Sequence, residues 1–88
     1  MPEANGNPMK TPRNVSGLEL IKLLKPYGYE IVRQTGSHIR IRTVNNGEHF
    51  ETVPRHNPIK VGTLNDILSS IAGHFSLEKE ELMHDLFG

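Results

Sequence analysis

His38, Arg40 and Arg42 stand two residues apart in a chain of 88 residues, and all three can do chemistry on a phosphate. They alternate with Ile39 and Ile41, and successive side chains of a β-strand point to opposite faces. The spacing predicts a strand whose isoleucines face a core and whose histidine and arginines share the outer face. An imidazole titrates near neutral pH and can serve as general base or acid. A guanidinium can grip a phosphate through two parallel hydrogen bonds and stabilise charge that develops on it. Gly36 and Ser37 lead directly into His38. A glycine there lets the backbone come close to a phosphate, and Ser37 can bond a phosphate oxygen or simply cap the turn.

The remaining candidates are less specific. His56 follows Pro54 in a loop, where it can donate to a substrate, act as a second acid, or serve only as loop polarity. Lys22 and Lys25 fall on the exposed side of a helix and can touch RNA phosphates or be a solvated face. Counting from Ile31, Arg33 alternates with the inward-facing set, which leaves its side undecided. His49 reads as a strand residue, and His74 and His84 sit near helix C-termini, where positive charge is favoured. No close-spaced ligand motif joins His38, His49 and His56, so no metal site is expected. The glycine spacing matches no dinucleotide or phosphate-loop pattern, so no cofactor is expected. No second proton carrier to partner His38 is identifiable.

The elements that must position these residues are legible. Ser16-Gly17-Leu18-Glu19 fits a capping box, and Leu20, Ile21, Leu23, Leu24 and Tyr27 follow as a helical apolar stripe. Pro26 and Gly28 stop that helix, predicted from about Gly17 to about Pro26. Tyr29–Gln34 reads as a strand, Gln34-Thr35-Gly36-Ser37 as a turn, and His38–Arg42 as the next strand. Asn45-Asn46-Gly47 signals a tight type I′ hairpin, with a return strand over Glu48–Val53 that Pro54 ends. From Val61 the helical period returns with Leu64, Ile67, Leu68, Ile71 and Ala72, and Gly73 closes it. Ser76 can cap a last, acidic helix carrying Leu77, Leu82, Met83 and Leu86. The order predicts an α+β architecture, α-β-β-β-α with a short extra C-terminal helix. Its three-stranded antiparallel sheet buries one face under helices and leaves the other open. An open face holding His38, Arg40 and Arg42 can lie along an RNA backbone.

Composition narrows the function classes. The length leaves room for one domain, expected over residues 15–88 behind a flexible tail at 1–14 that is rich in Pro and Asn. With no cysteine, neither a disulfide framework nor a thiolate zinc site is available, which suits a cytoplasmic protein. No run approaches the ~18 apolar residues of a membrane span. Net charge is zero, yet residues 15–60 hold seven Lys/Arg against four Asp/Glu, while residues 61–88 hold one against five. A mildly basic middle and an acidic end are a partner signal that zero net charge hides.

Four segments together resemble one family. Ser16–Leu24 is similar to the opening helix of the HicA toxins, Gly36-Ser37-His38 to their signature turn, Val53-Pro54-Arg55-His56 to their third-strand ending, and Lys60–Leu64 to their second-helix entry. The similarity runs from about Val15 to about Gly73. The resemblance implies a double-stranded-RNA-binding-domain-like fold and metal-independent endonucleolytic cleavage of mRNA, with His38 as the catalytic residue. Gly36, Ser37, Arg40, Arg42, Lys22 and His56 are then the substrate-binding candidates. It also implies neutralisation by a HicB-type antitoxin; cover of the His38 face and pairing with a sheet edge are two ways such a partner can block the site. A non-catalytic RNA-binding module of the same shape is the alternative. Family members are often more basic, and the acidic helix past Phe75 is one that the minimal family domain does not need.

Overall fold

A computed structural model describes residues 9–88. The chain runs through α1 (Gly17–Leu23), a 3₁₀ turn (Lys25–Tyr27), β1 (Glu30–Thr35), β2 (His38–Thr43), β3 (His49–Pro54), α2 (Val61–His74) and α3 (Lys79–Phe87). The strands form one antiparallel sheet in the order β1-β2-β3. This is the α+β order expected, with the third helix at its end. Ile39, Ile41 and Val53 leave one face of the sheet and join Leu20, Leu24, Leu64, Leu68 and Ile71 in a single buried cluster. The opposite face carries no helix and holds exposed His38 and Arg40 beside half-buried Arg42.

The capping box at the start of α1 is complete. The Ser16 hydroxyl accepts from the Glu19 N–H at 3.1 Å, and the Glu19 carboxylate accepts from the Ser16 N–H at 3.0 Å. The helix ends at Leu23, earlier than expected, because Pro26 disfavours helical backbone at Lys25. The chain tightens there into a 3₁₀ turn, which Gly28 closes in the left-handed region at φ 86°. Gly17 is needed for close packing: a Cβ there would run into the Pro54 carbonyl. Its N–H donates to the His56 carbonyl at 2.9 Å, fixing the start of α1 against the end of β3.

Two expectations about the C-terminal half are corrected. The helix begun at Val61 does not close at Gly73 but continues to His74, where the β2–β3 loop holds it. The Asn46 side chain donates to the His74 carbonyl at 2.8 Å, and His74 Nε2 meets the Asn45 carbonyl at 2.9 Å. Ser76 does not cap the last helix. It sits at φ 55°, with its N–H bonded to Gly73 O and the Leu77 N–H to Ala72 O. That pair of bonds is the Schellman ending of α2, so the cap of α3 passes to Glu78, which forms a capping box with Glu81.

The acidic helix is not an appendage. Leu82, Met83 and Leu86 of α3 are buried in the same core as the sheet residues. The expected tail is also part of the fold from Met9 onward: Met9 packs against the core and the Thr11 hydroxyl donates to Asn65 of α2. Residues 1–8, the rest of that tail, lie outside the described residues. Among the described residues no helix is long and apolar enough to cross a membrane.

Candidate active site

Thr35 and His38 face each other as the last pair of the β1–β2 hairpin, joined by Gly36 and Ser37 alone. Gly36 takes φ 57° while Ser37 keeps negative φ. Positive φ at the first loop residue only is the pattern of a type II′ turn, whose twist matches that of the strands. No atom would meet a Cβ on Gly36, so glycine serves backbone conformation there and leaves open space in front of the turn. The Ser37 carbonyl accepts the Arg55 N–H at 2.6 Å, tying the turn to the end of β3. His38 is thus held from both sides of the sheet.

The residues around it come from all three strands. A shallow concavity on the open face is lined by Arg33, Thr35, His38, Arg40 and Thr52. Arg33 enters through an irregularity that the sequence did not reveal. In β1, Ile31 pairs with Ile41 and Arg33 with Arg40, so one residue of β2 is crossed where β1 takes two. Val32 is the extra residue of a β-bulge, and a bulge reverses the alternation beyond it. The count from Ile31 that would turn Arg33 inward therefore fails, and Arg33 lies directly across from Arg40. Like charges facing each other on a sheet destabilise it by roughly 0.2–1 kcal/mol. The chain bears that cost, and an anion between the two guanidinium groups would offset it.

The two arginines of β2 are not equivalent. Arg40 donates from Nη1 to the Thr52 hydroxyl at 3.2 Å, and its guanidinium carbon lies 4.7 Å from the centre of the Phe50 ring. Arg42 donates from Nε to the Glu48 carboxylate at 2.7 Å, which neutralises part of its charge. Arg40 is the better placed of the two to meet a phosphate beside His38. Apart from His38, the concavity is lined by arginines and threonines, which do not exchange protons near neutral pH. Two of the expected binding residues stand apart. Lys22 lines a different depression, with Glu19, Leu23, Pro26, Asp85 and Leu86, where α1 meets α3. His56 is exposed in the loop after β3 and does not line the concavity.

A second polar cluster lies at the other end of the sheet, on its helical side. Tyr29 Oη lies 2.7 Å from His49 Nδ1, and His49 Nε2 faces the Ser70 hydroxyl at 3.2 Å and Glu51 at 3.5 Å. The His49 ring stacks on His74 with centroids 4.5 Å apart. Burial pushes the His49 pKa down, opposed by Glu51 and assisted by His74; burial likewise raises that of Tyr29. The cluster joins β3 to α2, a role the strand pattern around His49 could not show. Among the described residues no three His, Asp or Glu side chains stand together as a metal site would require.

A family model described as the HicA toxin of bacterial toxin–antitoxin systems matches residues 17–72. The chain belongs to the HicA toxin family. The match covers α1, the whole sheet with its Gly36-Ser37-His38 turn, and all of α2 but its last two residues. It stops before α3, although this HicA-family chain uses that helix to close its core. Family membership makes the chain the toxin of a toxin–antitoxin system, and so one with an antitoxin partner. Comparison with curated proteins and with solved structures gave no match.

Proposed function

We propose that this HicA-family toxin is an endoribonuclease that cleaves mRNA with His38 as its proton-transfer residue. One observation carries the reading: the exposed imidazole stands at the head of β2 in a concavity that also holds the opposed pair Arg33 and Arg40. RNA supplies its own nucleophile, the ribose 2′-hydroxyl adjoining the scissile phosphate. The enzyme must take the proton from that hydroxyl, stabilise the charge gathering on the phosphorane oxygens, and return a proton to the leaving 5′-oxygen. Arg33 and Arg40 meet the charge, with Arg42 on the next stretch of backbone. Gly36 and Ser37 leave the turn open enough for a phosphate to approach. His38 is the proton carrier of the concavity, so the two transfers fall to it in turn or are shared with water. This chemistry calls for no metal. A HicB-type antitoxin would silence the enzyme by covering the His38 face.

The test is side-by-side expression of wild type and His38→Ala, followed by purified cleavage assays with and without chelator. The variant should lose growth arrest and lower cleavage by about 10²–10⁴-fold. Its melting temperature should hold, since His38 is exposed. Undiminished cleavage by His38→Ala would sink the assignment, and loss of wild-type cleavage in chelator would point to a metal instead. A chain that binds RNA and never cuts it would be the non-catalytic module.

A further inference from the structure

We infer that Phe50 is a stacking platform for an unpaired nucleobase, so that the substrate lies on the open face as a single strand and not as a duplex. The inference rests on the ribonuclease reading above. Phe50 is 37% exposed on the edge strand β3, opposite Arg42 in the β2–β3 register. It shares the open face with His38, Arg40 and Thr52, since directly paired residues point the same way. The core could not use the ring, because His49, Glu51 and Val53 are the residues of β3 that turn inward. Arg40 and Arg42 both approach the ring, with guanidinium carbons 4.7 and 6.0 Å from its centre.

An aromatic face flanked by cations is what a nucleotide of a single strand can use, the base on the ring and the phosphate on the guanidinium groups. A duplex buries its base faces in its own stack, and a duplex binder reads backbone and shape instead. The cation–π contact of Arg40 at an exposed site is weaker than base stacking. An incoming base therefore displaces Arg40 from the ring and frees it for the phosphate beside His38. Phe50 lies four residues along β3 from Pro54, the partner of His38, which is roughly 14 Å at strand rise. The stacked base consequently belongs to a nucleotide further along the same strand than the cleaved bond.

The test uses the full chain in a His38→Ala background, so that RNA remains intact. The sequence has no tryptophan, so Phe50→Trp gives emission from that one position. The probes are a short unstructured RNA oligonucleotide, end-labelled for anisotropy, and the same strand annealed to its complement. Binding of the single strand should quench the tryptophan, and the duplex should bind more weakly and leave the emission unchanged. Phe50→Ala should weaken single-strand binding roughly tenfold. Phe50→Leu, which keeps apolar bulk without a ring, should weaken it as much. Anisotropy that reports binding while emission and both affinities stay unchanged would overturn the platform and leave the RNA reading standing. Full rescue by leucine would overturn it too. Absence of binding by either probe would bring down both.

Discussion

Arg33→Thr should make the protein slightly more stable and a worse ribonuclease. Arg33 faces Arg40 across the β1–β2 register, and a like-charged cross-strand pair costs roughly 0.2–1 kcal/mol. Exposure to solvent places this pair at the low end, about 0.3 kcal/mol. Threonine keeps good strand propensity, so removing the charge should raise the melting temperature by about 1–3 °C in a domain of this size. Loss of one phosphate contact should flatten the slope of log affinity against log salt by about 0.7 for a single strand. A charge-assisted hydrogen bond is worth roughly 1.5–3 kcal/mol, so cleavage should fall by about tenfold or more. Lys22→Thr is the control for RNA contact, since Lys22 lies on the α1–α3 side and should leave the salt slope unchanged. The assays are thermal melting, and anisotropy with labelled RNA across a salt series. An Arg33→Thr protein that melts lower and keeps the wild-type salt slope would refute the placement of Arg33. A Lys22→Thr protein that loses as much slope would show that RNA lies on another face.

Two further predictions concern the scaffold. Burial lowers the His49 pKa below its usual 6.5, so in the window between that depressed value and 6.5 the unfolded chain holds more proton than the folded one. Stability is then full above about pH 7 and falls as pH drops through that window, by no more than about 1.4 kcal/mol per pH unit. Urea midpoints across the range should show the fall, and His49→Gln should flatten it; an equal slope in that variant would place the proton elsewhere. Leu82→Ala should cost roughly 2–5 kcal/mol, because Leu82 is fully buried in the core that α3 closes. An unchanged urea midpoint would make α3 an appendage after all.

What the sequence disclosed and what it hid divide along a physical line. Local signals survived intact: the Ser16–Glu19 capping box, the left-handed glycine at Gly28, and the period-two run at His38–Arg42 that set two isoleucines inward and three polar residues outward. Each depends on neighbours within a few residues. Tertiary decisions were invisible. Ser76 looks like a helix cap, but the carbonyls of Ala72 and Gly73 needed partners, and satisfying them used its backbone. Gly73 looks like a stop, but the β2–β3 loop reached across to hold one more residue of α2. Phe50 alternates as any strand residue does, and only the register beside Arg42 gives it two cationic neighbours. Lys22 is basic and exposed in sequence terms, yet nothing local says that α1 packs on the face away from His38.

The β-bulge also resolves the apparent conflict between a neutral chain and an anionic substrate. With regular alternation, Arg33 would follow Ile31 inward and the concavity would hold one guanidinium; the bulge at Val32 makes it two. Of the ten acidic residues, six belong to the helical layer on the other side of the sheet: Glu78, Glu80, Glu81 and Asp85 on α3 and at its cap, Glu19 on α1 and Asp66 on α2. A layer of helix is about 10 Å thick, close to the Debye length at 0.1 M salt. A phosphate above Arg33 and Arg40 therefore feels those charges strongly and the carboxylates of α3 only weakly. Net charge counts both layers together, whereas a backbone lying on the open face meets only one of them.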